Sequence, residues 1–219
     1  LNDKKVPQLF VASGATEWGD HARYAWTMGW QPSYQVEGHI YARYIMDNYP
    51  KAKVAVLYQN DDSGRDYLKG ITDGFGAQAS TYIVKAISFE VTDPTVDSQV
   101  VALKASGADV FFNAASPKAA AQAIRKSAEL GWKPVQFVAS NSGSIPVLKA
   151  AGFDNAAGIM TAAYQKDPTD KAWANDPAML EWKAWMKRYN PGANLEDSFS
   201  VYGYLIAMTT AHVLQQCGE

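Results

Sequence analysis

The sequence predicts an α/β fold, a parallel sheet with helices packed on both of its faces. Two observations predict it. Short apolar runs of strand length recur along the chain, and each is followed by a small-residue loop and then by a helical pattern. This strand–loop–helix unit repeats four or five times, which is the mark of a parallel sheet with crossover helices. Crossovers of that length bring a helix back over the sheet and bury both faces.

Each element follows from local chemistry. Val6 to Ala12 reads as a buried strand, with Ser13-Gly14-Ala15-Thr16 as a small-residue loop after it. Residues 17–32 are irregular and rich in tryptophan. A helix runs from Ser33 to Tyr49, closed by Pro50. Its inner face is predicted from Val36, Ile40 and Tyr44, with Tyr41 and Ile45 beside them. Lys53 to Tyr58 is a β-branched apolar strand. Ser63 is predicted to cap the next helix, from Gly64 to Gln78, with Asp66 as its capping-box partner. Thr81 to Phe89 is a strand, and Asp93-Pro94 a cap and first-turn proline for a helix reaching Ser106. Val110 to Asn113 is a strand. Ser116-Pro117 opens a helix to Leu130 with Ala121, Ile124 and Ala128 inward, and Gly131 sits at its C′ position. Val135 to Val138 is a strand, Ser144 to Ala151 a short helix, and Ala157 to Tyr164 a fifth strand in this run. From Lys166 the composition changes. A helix at 177–189 carries Met179, Trp182 and Met186 on one side, with Trp185 beside them, and a mostly apolar helix spans Ser198 to Gln216.

Composition excludes several function classes. The chain has 219 residues, 47% apolar and 19% charged, with a net charge of -2. These are globular proportions. No basic patch or high pI points to nucleic acid, so no nucleic-acid partner is expected. No apolar run approaches the roughly 18 residues of a membrane helix. The single cysteine, Cys217, allows no internal disulfide and no CxxC site. The chain starts at Leu1 rather than at methionine, which reads as a processed or truncated product.

Enzyme signatures are missing as well. There is no GxGxxG or Walker loop and no GxSxG elbow. His21, His39 and His212 lie far apart and lack metal-ligand spacing. Asp61-Asp62 is read as a helix-start pair that favours the helix dipole, not a metal pair. No cofactor and no metal are expected, and no catalytic residue is assigned.

In an open parallel sheet, ligands bind beyond the carboxyl ends of the strands. Those loops here are Ser13–Thr16, Gln59–Gly64, Ala114–Ser116, Ala139–Gly143 and the residues after Tyr164. The first four are mainly Ser, Thr, Asn, Gly and Ala, with Asp61 and Asp62 the only charges. Hydroxyls and helix-start N–H groups of that kind suit a carboxylate or a neutral polar ligand.

The run KVAVLYQNDDSGRDYLKGITDGF, then TDPTVDSQVVALKASGADVFF, then AAGFDNAAGIMTAAYQKDPTD resembles the substrate-binding proteins of branched-chain amino acid-type ABC transporters, the type I periplasmic binding proteins. The resemblance covers nearly the whole chain. It implies two α/β sandwich lobes, each of three layers, joined by a hinge and closing on a small-molecule ligand. On this resemblance residues 1–32 are the end of the first lobe and a hinge crossover, 33–194 the second lobe, and 195–219 a helix returning to the first lobe. It further implies a periplasmic location and an ABC permease of the inner membrane as partner, with the chain a fragment of a longer protein. Such a fragment is expected to self-associate, or to be disordered at both ends, because Tyr204, Leu205 and Met208 would lack their first-lobe cover. A ligand-sensing domain of a receptor or regulator shares the fold and is the alternative.

The resemblance also assigns site residues. In the loop beginning at Ser13, Ala15 and Thr16 match a loop that binds the ligand carboxylate. Ser63 falls where amino-acid binders often carry an aromatic residue, and Ala115 and Ser116 where they carry another. Asn141 falls where they place an acidic residue for the ligand ammonium. An ammonium buried without a counter-charge costs several kcal/mol. The expected ligand is therefore an aromatic or other carboxylate, not a free α-amino acid, with Tyr164 and Trp18 available for stacking.

Overall fold

The computed structural model describes residues 1–218. They form two compact units. The first comprises Leu1–Gly143 with Val147–Ala162, and the second Ser144–Pro146 with the chain from Ala163 onward.

In chain order the chain forms β1 (Gln8–Val11), β2 (Thr27–Gly29), α1 (Tyr34–Asn48), β3 (Val54–Gln59) and α2 (Asp62–Phe75). A short α3 (Ala79–Tyr82) leads into β4 (Ile83–Phe89), followed by α4 (Asp97–Lys104), β5 (Val110–Ala114), α5 (Pro117–Glu129) and β6 (Val135–Val138). Two short helices follow, α6 (Ile145–Ala151) and α7 (Phe153–Ala156), then α8 (Pro177–Tyr189) and α9 (Ser198–Cys217).

The main sheet has the order β4-β3-β5-β6 and is parallel throughout. Alternate side chains of a strand leave on opposite faces, and here both faces are buried. Ala55, Leu57 and Phe111 pack with Val96, Val100, Leu103 and Ile124 of the α4–α5 layer. Val54, Val56, Val110 and Phe112 pack with Tyr41, Ile45, Tyr67 and Ile71 of the α1–α2 layer. The three-layer α/β sandwich expected from the sequence is the architecture found.

Tertiary packing overrides several local expectations. Val36, Ile40 and Tyr44 of α1 are exposed, and Tyr34, Glu37, Tyr41, Ala42 and Ile45 face inward instead. The reason lies in glycine. Gly38 of α1 lies against Ile71 of α2, and Gly70 and Gly74 of α2 lie against Gln35 and Ala42 of α1. The helices can come this close only because a glycine lacks a Cβ at each of these contacts, so the glycine rows choose the contact face.

Helix α2 starts earlier than expected. Asp61, not Ser63, is its cap, and accepts from Gly64 N at 2.9 Å. Helix α4 begins at Asp97, not Pro94. Asp93 turns back to accept from Glu90 N, and Thr95 Oγ1 accepts from Asp97 N at 3.1 Å. Ser116 has cap geometry without a side-chain cap bond, and Pro117 takes the first turn. Gly131, at φ 65°, ends α5 as expected, but Ala128 is exposed, and Ser127 takes the inward place. The irregular 17–32 segment contains a 3₁₀ turn at Thr16–Gly19 and the strand β2, which pairs in parallel with β1. The segment Ala157–Tyr164 is no strand. It touches the sheet through one bridge, Phe137 to Met160.

In the second unit α8 buries Met179, Trp182 and Met186 against Val201 of α9, as the periodicity predicts. Tyr204 and Leu205 pack at the edge of that cluster, while Met208 and Leu214 are exposed. Among the described residues, no helix is long and apolar enough to cross a membrane.

Candidate functional site

Helix α2 leaves β3 for one face of the sheet and α5 leaves β5 for the other. Between two neighbouring parallel strands whose helices part in this way a crevice opens at the carboxyl ends, the usual place for a ligand. The register sets what borders it. Tyr58 pairs with Ala114, and Asn113 with Val138, so the loops after β3, β5 and β6 end side by side. Ser63, Ala115, Ser116 and Asn141 all lie in or just beyond those loops.

Hydrogen bonds hold the β6 side together. Ser142 Oγ lies 2.7 Å from Ala115 O and 3.2 Å from Asn141 Oδ1, which links the predicted Ala115 and Asn141 positions through one hydroxyl. Asn141 itself is half-buried in a 3₁₀ turn spanning Ser140–Ser142.

The first-strand loop joins the same end of the unit. Gly14 O accepts from Tyr34 N at 2.8 Å. Ser13 Oγ accepts from Ala15 N at 3.1 Å. Thr16 gives its backbone N–H to Asp66 Oδ2 at 2.6 Å and sets its hydroxyl 3.0 Å from the same oxygen. Gln35 Nε2 completes the cluster, donating to Asp66 Oδ1 at 2.6 Å. Asp66 is thus no capping-box residue. It sits one helical turn beyond Ser63 and ties α2 to the Thr16 loop. The two residues matched to a carboxylate-binding loop are already engaged, Ala15 N by Ser13 and both the N–H and the hydroxyl of Thr16 by Asp66.

Two cavities flank this loop. One, of 690 Å³, is lined by Ser13, Ala15, Thr16, Trp18, Trp26 and Trp30 among others. Its walls bring three of the expected site residues against the tryptophan-rich segment. The other, of 610 Å³, carries Glu17, Asp20, Asp62 and Asp66 with Arg23 and Arg65. There burial, and then the charge of Asp62, raises the pKa of Glu17. Among the described residues, no group of three or more His, Cys, Asp or Glu is placed to hold a metal ion.

Tyr164 belongs to the second unit. It lines a 370 Å³ cavity there with Gln165, Trp182, Tyr204 and Met208.

Sequence reading missed Glu37. Its side chain is buried, with 7% of the residue exposed. Oε1 accepts from Tyr41 Oη and Ser140 N, each at 2.7 Å. Oε2 accepts from Ser140 Oγ at 2.7 Å and from Tyr67 Oη at 3.1 Å. Burial raises its pKa above the usual carboxylate range, and the hydrogen bonds from Ser140, Tyr41 and Tyr67 oppose that rise. The signal was present in α1, where Glu37, Tyr41 and Ile45 form an i, i+4, i+8 row beside the row taken as apolar.

The family description "periplasmic binding protein" matches residues 1–219, the full length of the sequence. The chain belongs to the periplasmic binding protein family. Its relatives agree with that placement. A Leu/Ile/Val-binding protein homolog 7 of Brucella abortus is 26% identical over 169 residues, which is 75% of this chain and 41% of that protein. A substrate-binding periplasmic protein from Ralstonia solanacearum superposes with a TM-score of 0.86 at 20% identity, covering 99% of this chain and 59% of the other. A fatty acid ABC transporter substrate-binding protein from Thermomonospora curvata gives 0.73 at 21% identity, covering 94% and 51%. The two structural likenesses establish the fold. This periplasmic binding protein chain spans roughly two fifths to three fifths of the length of these relatives. The α/β sandwich is therefore shared with these structures, and the side chains that border the crevice are this chain's own.

Proposed function

We propose that this chain is part of the extracytoplasmic solute-binding subunit of an ABC importer. It captures a small organic carboxylate, aromatic in the first instance, by closure of two lobes about a hinge, and presents it to an inner-membrane permease. It performs no chemistry on the ligand. On this reading Ser13, Ala15, Thr16, Ser63, Ala115, Ser116 and Asn141 contact the ligand.

The observation that carries the ligand class is the turn after β6. It offers Asn141, which is neutral, and the carboxylate beneath that turn already accepts four hydrogen bonds, from Tyr41, Tyr67 and twice from Ser140. A ligand ammonium would find no open counter-charge there. The tryptophan-lined cavity beside Ser13–Thr16 supports an aromatic ligand, because a ring stacked on indole gains about 0.5–1.5 kcal/mol beyond burial. The ligand carboxylate would displace Asp66 from Thr16.

A free amino acid is the second reading, and Asp66 is the observation that favours it. Its carboxylate lies at the Thr16 loop and could serve an ammonium in place of the missing acid at Asn141. The Brucella relative is named for leucine, isoleucine and valine, and the Thermomonospora protein for fatty acids.

A thermal-shift series on the full-length mature protein separates these readings, with benzoate, 4-hydroxybenzoate, leucine and valine as probes. A ligand at a hundred times its Kd adds about 2.7 kcal/mol of stability. Stabilisation by the aromatic acids alone supports the carboxylate reading. Stabilisation by leucine or valine overturns it in favour of Asp66 as the ammonium partner. Self-association is proposed for the isolated chain on the apolar side of α9, and sedimentation velocity tests it: a monomer at all concentrations would refute it.

A further inference from the structure

Glu37 has a role that burial alone does not explain. A carboxylate this deep is costly unless its oxygens are filled, and here four donors fill them. Two of those donors are the amide and hydroxyl of one residue, Ser140, 103 positions away in the chain. Ser140 opens the turn that carries Asn141 and Ser142. The other two, Tyr41 and Tyr67, come from α1 and α2 and are themselves packed on Phe112 of the sheet. Tyr41 reaches further. Its hydroxyl lies 2.9 Å from Val138 O and accepts from Ala162 N at 2.8 Å, so both the last residue of β6 and the segment crossing back over it meet the same network.

We propose that Glu37 is a positioning residue for the ligand crevice, setting the Ser140–Ser142 turn so that Asn141 borders the carboxyl ends of β5 and β6. A 3₁₀ turn of three residues makes few hydrogen bonds of its own and is a weak fixture. Its amide and hydroxyl are instead clamped bidentately by an acceptor on rigid helix α1, which sits on the same sheet layer. Ser142 clamps the other end of the turn onto Ala115 O. The turn is thereby held at both ends while Asn141 between them borders the crevice. The part of this inference that concerns ligand contact rests on the solute-binding reading above. The part that concerns the turn does not.

The test uses the full-length mature protein with Glu37→Ala, Glu37→Gln and Ser140→Ala. Hydrogen exchange, read without ligand, reports the Ser140 amide against the amides of β5. The expected result is at least a tenfold faster exchange at Ser140 in Glu37→Ala, with β5 unchanged. Glu37→Gln, which keeps one acceptor oxygen, should recover most of the protection. Ser140→Ala, which retains the amide donor, should lie between and serves if Glu37→Ala fails to fold. Unchanged exchange at Ser140, or an equal rise throughout β5, overturns the proposal. Benzoate and leucine titrated into the same proteins give the second readout. Whichever probe the wild-type protein binds should lose at least tenfold in affinity in Glu37→Ala and be largely restored in Glu37→Gln. Equal affinity in both variants overturns the positioning role while leaving solute binding intact. Wild-type protein that binds neither probe counts against the proposed ligand classes alone, and the exchange result still decides the role of Glu37.

Discussion

The close packing of α1 on α2 makes a sharp prediction about glycine. A Cβ added at Gly70 would lie 2.6 Å from Gln35 Cα and closer still to Gln35 O. Both neighbours are backbone, so no flexible side chain can move aside. Carbon atoms in contact prefer about 3.5 Å or more, so the helices must part by roughly 1 Å along that row. Overpacking of this kind costs about 1–3 kcal/mol, and the better helix propensity of alanine returns about 1 kcal/mol of it. Gly70→Ala should therefore destabilise the protein by up to about 2 kcal/mol. Gly203 is the control. It too lies inside a helix, α9, but nothing stands within 4 Å of its would-be Cβ. Gly203→Ala should stabilise that helix by about 0.5–1 kcal/mol. Urea denaturation of both variants of the full-length protein, fitted for midpoint and slope, measures the pair. If Gly70→Ala stabilises the protein as Gly203→Ala does, the two helices do not meet through these glycines, and the account of why α1 turns Val36, Ile40 and Tyr44 outward fails with it.

Other predictions concern charge and the crevice. Asp66→Ala removes the acceptor of Thr16 and Gln35; loss of these charge-assisted bonds should cost about 2 kcal/mol by urea denaturation, while benzoate binding, measured by calorimetry, should tighten if a ligand carboxylate takes the same donors. Asn141→Asp places a negative charge in the crevice, and should weaken benzoate and strengthen leucine by about tenfold each, a shift of about 1.4 kcal/mol in either direction; no change in their ratio would remove Asn141 from the site. Because burial raises the pKa of Glu37, its contribution to stability is fully present below the usual carboxylate pKa and is lost as pH rises through the raised value. The stability of Glu37→Gln relative to wild type should therefore improve as pH rises above about 4, and a flat difference across denaturation curves taken at rising pH would show that Glu37 is not perturbed.

Much of the fold was legible because its determinants are local. Val54 to Leu57 read as a strand buried on both faces because four successive apolar residues leave no side for water. Pro117 and Gly131 mark the ends of α5 through backbone geometry that any chain would obey. The loops after the strands follow from strand ends alone, the resemblance points to Ser63, Ala115, Ser116 and Asn141 within or beside them, and parallel register gathers those loops side by side. What local reading missed depends on partners distant in sequence. The inward face of α1 is chosen by Gly70 and Gly74 on another helix, so an apolar row one residue out of phase looked equally good. Asp66 read as a capping residue because capping is the commonest use of an acid in a first turn, yet its partners are 31 and 50 residues away.

The sequence by itself determined the α/β class, the strand ends and the small polar character of the loops there, because propensity, periodicity and turn chemistry act within a few residues. Only the tertiary structure decided that Glu37 lies beneath the Ser140 turn and that Thr16 is held by Asp66. Those contacts exist because the sheet and the paired helices bring distant donors to a buried carboxylate, and a buried charge must be satisfied wherever the fold happens to place it.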